Sequence, residues 1–135
     1  MDTCVFCKIL RGEIPSFKVW EDENFLAFLT IEPINPGHTL VIPKKHIDYI
    51  FDLDDPDLGQ LIIACKPIAK ALKQAFNPLS GKIGIMVAGQ EVPHVHVSLI
   101  PINHERDLTF ERPKKATSED LQKNAVKIKE ALDSA

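Results

Sequence analysis

One stretch constrains the chain more than any other: Gln90-Glu91-Val92-Pro93-His94-Val95-His96-Val97-Ser98-Leu99-Ile100-Pro101. Between its two prolines, polar and apolar residues alternate, with His94, His96 and Ser98 set against Val95, Val97 and Leu99. Successive side chains of a strand point to opposite faces, so a period of two reads as a strand. The Val and Leu face is expected on the core, and the His, His and Ser face in wetter surroundings. Positions two apart on one face lie roughly 7 Å from each other. Two imidazoles and a hydroxyl would then line a row about as long as a phosphate ester. The competing reading is a half-exposed strand that happens to carry histidines.

Length and charge narrow the classes open to such a strand. The 135 residues suit one domain, residues 1–135, with a sizeable core. Hydrophobic residues make up 44% and charged residues 26%, as in soluble globular proteins. A formal charge of -3 supplies no basic field for nucleic acid. No apolar run approaches the roughly 20 residues of a membrane helix, and Met1 to Lys8 lacks the parts of a signal peptide. Three cysteines, an odd number, argue against a disulfide framework and fit a reducing cytoplasm.

Cys4 and Cys7 form a C-x-x-C pair at the start of a short apolar segment, Val5 to Leu10. Half of a metal site, a redox pair and two small buried hydrophobes are the three readings. The redox reading wants a preceding strand, which is missing. Cys65 falls inside a helical pattern and reads as core.

The remaining elements follow from pattern and punctuation. Residues 18–21 and 25–29 read as strands around a polar turn, and His38 to Pro43 as a third. Asp55-Pro56 is expected to cap a helix that carries Leu58, Leu61, Ile62, Cys65, Ile68, Ala69, Leu72 and Phe76, with Pro67 bending it near Ile63. Lys82 to Val87 is a fourth strand, placed to form an antiparallel hairpin with the histidine strand. Residues 102–116 read as an extended surface loop. Thr117 then caps a last helix with Leu121, Ala125, Ile128 and Leu132 on one face. Strands running together, with helices between and after them, argue for an α+β fold with a mainly antiparallel sheet.

Gly37-His38-Thr39-Leu40-Val41-Ile42-Pro43, and Gly89-Gln90 followed by His94-Val95-His96, resemble the histidine triad (HIT) superfamily. Phe6-Cys7-Lys8-Ile9, Gly12-Glu13-Ile14-Pro15 and Ala27-Phe28-Leu29 are similar to its Hint-type branch, so that the likeness covers residues 4 to 101 in order. The resemblance implies a five-stranded sheet with one long and one C-terminal helix, in a homodimer that joins two sheets. It implies a purine nucleotide as ligand, no organic cofactor, and nucleotidyl transfer or hydrolysis at an α-phosphate through a histidine. By position His96 is the nucleophile, a sensible role for a neutral imidazole with an ordinary pKa of about 6.5. A backbone carbonyl near His94 would take the hydrogen bond that frees its other nitrogen. His94 matches the first triad position, His38 a supporting histidine, and Gln90 a phosphate contact. Phe6, Ile9, Ile14, Phe28 and Ile31 match the apolar walls around base and ribose, with core packing as the competing reading.

The chain departs from that pattern in places. Ser98 holds the third triad position, Thr30 stands where an acidic residue usually holds the ribose, and Glu91 replaces a small hydroxyl residue. The resemblance also implies a structural zinc on Cys4, Cys7, His46 and His94. Three readings of function follow: a nucleotide phosphoramidase or nucleotidyl hydrolase, a nucleotide-binding module with little turnover because of Ser98, and a zinc-stabilised interaction protein.

Overall fold

The strands at the centre of the molecule are its most apolar ones. Phe25–Leu29 (β2), Thr39–Pro43 (β3) and Val97–Ile102 (β5) are buried at every position. Strands of that kind belong inside a sheet covered on both faces. The computed structural model, which describes residues 3–111 and 113–134, places them there. With Phe17–Glu21 (β1) and Lys82–Met86 (β4) at the edges, they form one antiparallel sheet in the order β1-β2-β3-β5-β4. The α+β architecture expected from the sequence is the one found.

Alternation sorts the side chains into two faces. Val19, Ala27, Leu29, Val41, Val97 and Leu99 meet two helices, Asp55–Phe76 (α2) and Ser118–Asp133 (α3). Leu61, Ile68, Leu72 and Ile128 are fully buried in that layer. Each such side chain contributes about 1.5–3 kcal/mol relative to an exposed one. Leu26, Phe28, Leu40 and Ile42 point the other way and meet Val5–Leu10 (α1) through Cys4, Phe6, Cys7 and Ile9. The sequence marks Val5 to Leu10 only as an apolar segment. It is a helix, and its N-cap is Cys4, whose Sγ accepts from the Cys7 amide at 3.4 Å.

That second covering layer corrects the expected wet face of the histidine strand. The strand begins at Val97 rather than His94, His94 and Val95 are buried, and Ser98 is 7% exposed. Only His96 of the alternating polar set keeps partial exposure. Smaller corrections have local causes. The cap of α2 is Asp54 rather than Asp55, because the Asp54 carboxylate accepts from the Asp57 amide at 2.9 Å. Helix α2 continues through Pro67 without a break; Ile63, one turn earlier, is 60% exposed. The segment from 102 to 116 is not wholly a surface loop. It starts as the end of β5 and makes a 3₁₀ turn at Glu105–Asp107 whose Asp107 is buried; residue 112 lies outside the described residues.

Candidate functional site

Antiparallel pairing brings the start of β5 beside the end of β3. Val97 pairs with Val41 and Ser98 with Leu40, while the Val95 amide donates to the Ile47 carbonyl at 2.8 Å. The turn that carries His94 and His96 is thereby fixed against the Lys44–Ile47 segment. Phe6 of α1 closes over it, with ring centroids 5.1 Å from His96 and 5.9 Å from His94, both edge-on.

The two histidines of the turn face different chemistry. His94 Nε2 donates to the Pro43 carbonyl at 2.8 Å, which leaves Nδ1 with a lone pair in the neutral ring. That nitrogen stands 3.5 Å from Cys4 Sγ, 3.5 Å from Cys7 Sγ and 3.2 Å from His46 Nδ1, and Cys7 Sγ is 3.2 Å from His46 Nδ1. A tetrahedral zinc with bonds of about 2.0–2.3 Å has ligand–ligand edges of roughly 3.3–3.8 Å. Four of the six distances among the donor atoms are 3.2–3.5 Å, close to that spacing, and all four atoms lie within 4.8 Å of one another. Their chemistry fits as well, with two thiols and two ring nitrogens, one of them oriented by a carbonyl on its far side. Burial pushes the Cys7 thiol up, and Cys4 beside it adds to the effect. Burial likewise lowers His94, opposed by the bond to Pro43. A cation in the cluster favours the thiolate and the neutral imidazole, the forms that bind it.

His96 presents the opposite nitrogen. Its Nδ1 donates to the His94 carbonyl at 2.8 Å, so Nε2 carries the free lone pair. The ring lines a cavity of ≈ 220 Å³ with Ala88, Gly89, Gln90, Glu91 and Phe110. Gly89, at φ +80, turns the chain there. His38 lies on the same sheet face, two residues before Leu40. Its Nδ1 accepts from the Ile34 amide at 3.0 Å, which puts the proton of the neutral ring on Nε2. This Nε2 is buried and has no hydrogen-bond partner among the described residues. Burial, and then the charge of His96, pushes His38 down to about 4, so the ring is neutral near pH 7.

The other residues singled out from sequence are distributed unevenly. Gln90 borders the cavity of His96. Phe6, Ile9 and Phe28 are buried in the layer under α1, with Ile14 half-buried beside them, so core packing accounts for most of their surface. Ile31 is 57% exposed. The Thr30 hydroxyl accepts from the Glu32 amide at 3.2 Å. Ser98 sits between Leu40 and Met86 on the neighbouring strands.

The HIT domain family matches residues 11–105. That span is more than half of the chain. This protein belongs to the HIT family. The adenosine 5'-monophosphoramidase of Saccharomyces cerevisiae is 45% identical over 106 residues, covering 76% of this chain and 65% of that protein. A zinc-bound histidine triad family protein from Mycobacterium smegmatis superposes with a TM-score of 0.82 at 28% identity, over 98% of this chain and 95% of that one. A hypothetical histidine triad nucleotide-binding protein from Sulfolobus tokodaii gives 0.82 at 30% identity, over 97% and 93%.

Within this HIT chain, sequence reasoning missed Phe110, Asn35 and Asp107. Phe110 borders the His96 cavity from the loop after β5 and is 61% exposed; an aromatic among charged residues was its only signal. Asn35 and Asp107 are buried polar residues bonded to each other across 72 positions. No local pattern marks such a pair.

Proposed function

We propose that the chain, acting as one domain, is a nucleotide hydrolase or nucleotidyl transferase that cleaves nucleoside phosphoramidates or related purine nucleotide conjugates at the α-phosphate. One observation carries this reading. His96 is held with Nδ1–H on the His94 carbonyl, which leaves Nε2 its lone pair, and the ring lines a cavity together with Gln90. In the reaction, the Nε2 lone pair attacks phosphorus, the bond from phosphorus to the leaving amine breaks, and the amine takes its proton from water. The nucleotidyl-imidazolium formed carries a positive charge, which the His94 carbonyl stabilises through the Nδ1–H bond. Water then attacks phosphorus, the P–Nε2 bond breaks, and the neutral ring is restored. Gln90, which lines the same cavity, would donate to a phosphate oxygen. The phosphoramidase name of the yeast relative and the nucleotide-binding name of the archaeal one support a ligand of this class.

Cys4, Cys7, His46 and His94 would hold a zinc ion that cross-links α1 to the turn bearing His96. All four ligand positions are filled by protein, which suits a structural role. A homodimer joined through the β4 edge fits the unpaired side of that strand, where Ile85 is 53% exposed. A cytoplasmic setting fits three free cysteines; among the described residues no helix is long and apolar enough to cross a membrane.

The buried position of Ser98 favours a second reading, a nucleotide-binding module with little turnover. Incubation with an adenosine 5'-phosphoramidate separates the two. Recovery of a nucleotidyl adduct on His96, with release of the amine, supports the hydrolase. Binding without adduct or amine release supports the module.

A further inference from the structure

His38 is a buried ring that offers one N–H and finds no acceptor for it among the described residues. A lost hydrogen bond of that kind is costly, so something must hold the ring in this tautomer. The Ile34 amide does so directly, at 3.0 Å from Nδ1. The Ile34 amide is in turn fixed by its loop. The His38 amide donates to the Asn35 carbonyl at 3.1 Å, and Gly37, at φ +93, lies so close to Phe76 that a Cβ would stand 2.6 Å from its ring.

The side chain of Asn35 ties this loop to the far end of β5. Its Nδ2 donates to the Pro101 carbonyl at 2.9 Å and to Asp107 Oδ2 at 3.1 Å. The same carboxylate oxygen accepts from the amides of Asn103 at 3.0 Å and His104 at 3.1 Å. Asp107 is 1% exposed and Asn35 8%. A buried carboxylate gathering three donors is a rigid anchor, because each bond to a charged acceptor is stronger than a neutral one. This oxygen and this amide link the Asn103–His104 turn to the loop that carries His38.

We infer that Asn35 and Asp107 are positioning residues for His38: they fix the Ile34–His38 loop so that the ring presents Nε2–H, rather than Nδ1–H, on the sheet face that carries His96. A ring that leaves this position then disturbs the reaction proposed for the neighbouring His96. This last consequence rests on the proposed function. The orientation of the ring does not.

Two readouts test the inference, in the full-length, zinc-loaded protein. The ring ¹⁵N shifts of His38 report which nitrogen carries the proton, without any substrate. Turnover of an adenosine 5'-phosphoramidate reports the consequence. In wild type, His38 should show Nε2–H alone. In Asn35→Ala both tautomers should appear, and kcat should fall about ten- to a hundredfold, as expected for a displaced catalytic contact, with KM changed by less than about threefold. Asp107→Ala removes the acceptor that the Asn35 side chain shares with the Asn103 and His104 amides, so it should likewise show both tautomers and a kcat lowered about ten- to a hundredfold. If Asn35→Ala does not fold, Asn35→Ser, which fills more of the space but cannot reach both acceptors, takes its place. An Nδ1–H ring in wild type, or a single Nε2–H tautomer surviving in the Asn35 variant, overturns the inference. Absence of turnover in wild type would remove the proposed function and leave the tautomer result to decide this one.

Discussion

His94 and His96 carry the same ring two residues apart, yet the backbone gives them opposite faces. Pro43 takes the Nε2 proton of His94 and turns its Nδ1 toward two cysteines and His46. The carbonyl of His94 accepts the Nδ1–H bond of His96 and leaves Nε2 unprotonated on a ring that lines a cavity. One ring is fully buried in a closed set of ligands; the other is half-buried beside open space. The difference is set by which carbonyl each ring reaches, because a neutral imidazole that donates from one nitrogen must offer the other. On the proposed function a structural cluster and a reactive centre are adjacent, and His94 would belong to both, by its ring to one and by its carbonyl to the other.

Removing the open ring should have the largest effect. His96→Asn is expected to lower turnover of an adenosine 5'-phosphoramidate by a factor on the order of a thousand or more, as nucleophile deletions do. Zinc content, by metal analysis, and the melting temperature should stay near wild type. Residual turnover close to wild type would assign the chemistry to another residue and end the contrast.

Removing a ligand of the closed cluster should act on stability first. Cys4→Ser is expected to lose the metal, about one zinc per chain in wild type. A ligand present at a few hundred times its dissociation constant stabilises by about 3–4 kcal/mol, which corresponds to roughly 10–15 °C in Tm for a chain of this size. Serine is also a good N-cap, so it can accept the Cys7 amide bond in place of the thiol. The drop in Tm would then report the metal and not the end of α1. A wild-type protein with no zinc, together with an unchanged Tm in the variant, would remove the cluster from the comparison.

The third effect is a slope with pH. His38 has a folded pKa of about 4 against an ordinary 6.5, with burial as the main cause and the charge of His96 as the second. Its folded value is lowered, so the unfolded chain binds the extra proton first. The stability is fully present above pH 6.5 and is lost as pH falls from there toward 4. At pH 5 the loss amounts to about 2 kcal/mol. Chemical denaturation of wild type and His38→Gln at pH 7 and pH 5 should show the pH dependence reduced by about that much in the variant. Equal slopes would mean that His38 is not held neutral by its surroundings.

Much of this was legible in the sequence, and what was not has a common cause. Five strands and two long helices follow from alternation, prolines and caps, with the start of the last strand and the cap of α2 displaced from the expected residues. The metal-type set and the supporting carbonyl near His94 came with the family resemblance, and the folded chain brings those residues together. Period two located the polar face of the last strand but could not say what would cover it. The cover is α1, whose six residues are too few for a helical period to show. The same limit hid Asn35 and Asp107, because a polar residue buried by a distant partner looks like any loop residue until the chain has folded. Thr30 and Ile31 show the converse. Ile31 matches the resemblance by position and Thr30 stands where the pattern has an acidic residue, yet the Thr30 hydroxyl bonds its own loop and Ile31 is largely exposed.

The smallest effect concerns Ser98, which lies on the sheet face of His96 but shares neither its exposure nor its cavity lining. If a third donor at this position contacts the transferring group, serine supplies it poorly, and restoring a preorganised donor could raise kcat by about a hundredfold. Burial works against that gain. Ser98 is 7% exposed with Leu40 and Met86 as its strand partners, and forcing a larger ring into a filled position costs about 1–3 kcal/mol. Part of the donor's advantage is then spent in displacing neighbours. Ser98→His is expected to raise kcat by only about tenfold, to leave the affinity for adenosine monophosphate within about threefold, and to lower Tm by several degrees. Rate, nucleotide affinity and melting measured on the same preparation decide the point. A kcat that stays level or falls while Tm also falls would show that the ring finds no route to the phosphate. The half of the comparison that belongs to His96 would then be complete without a third triad histidine.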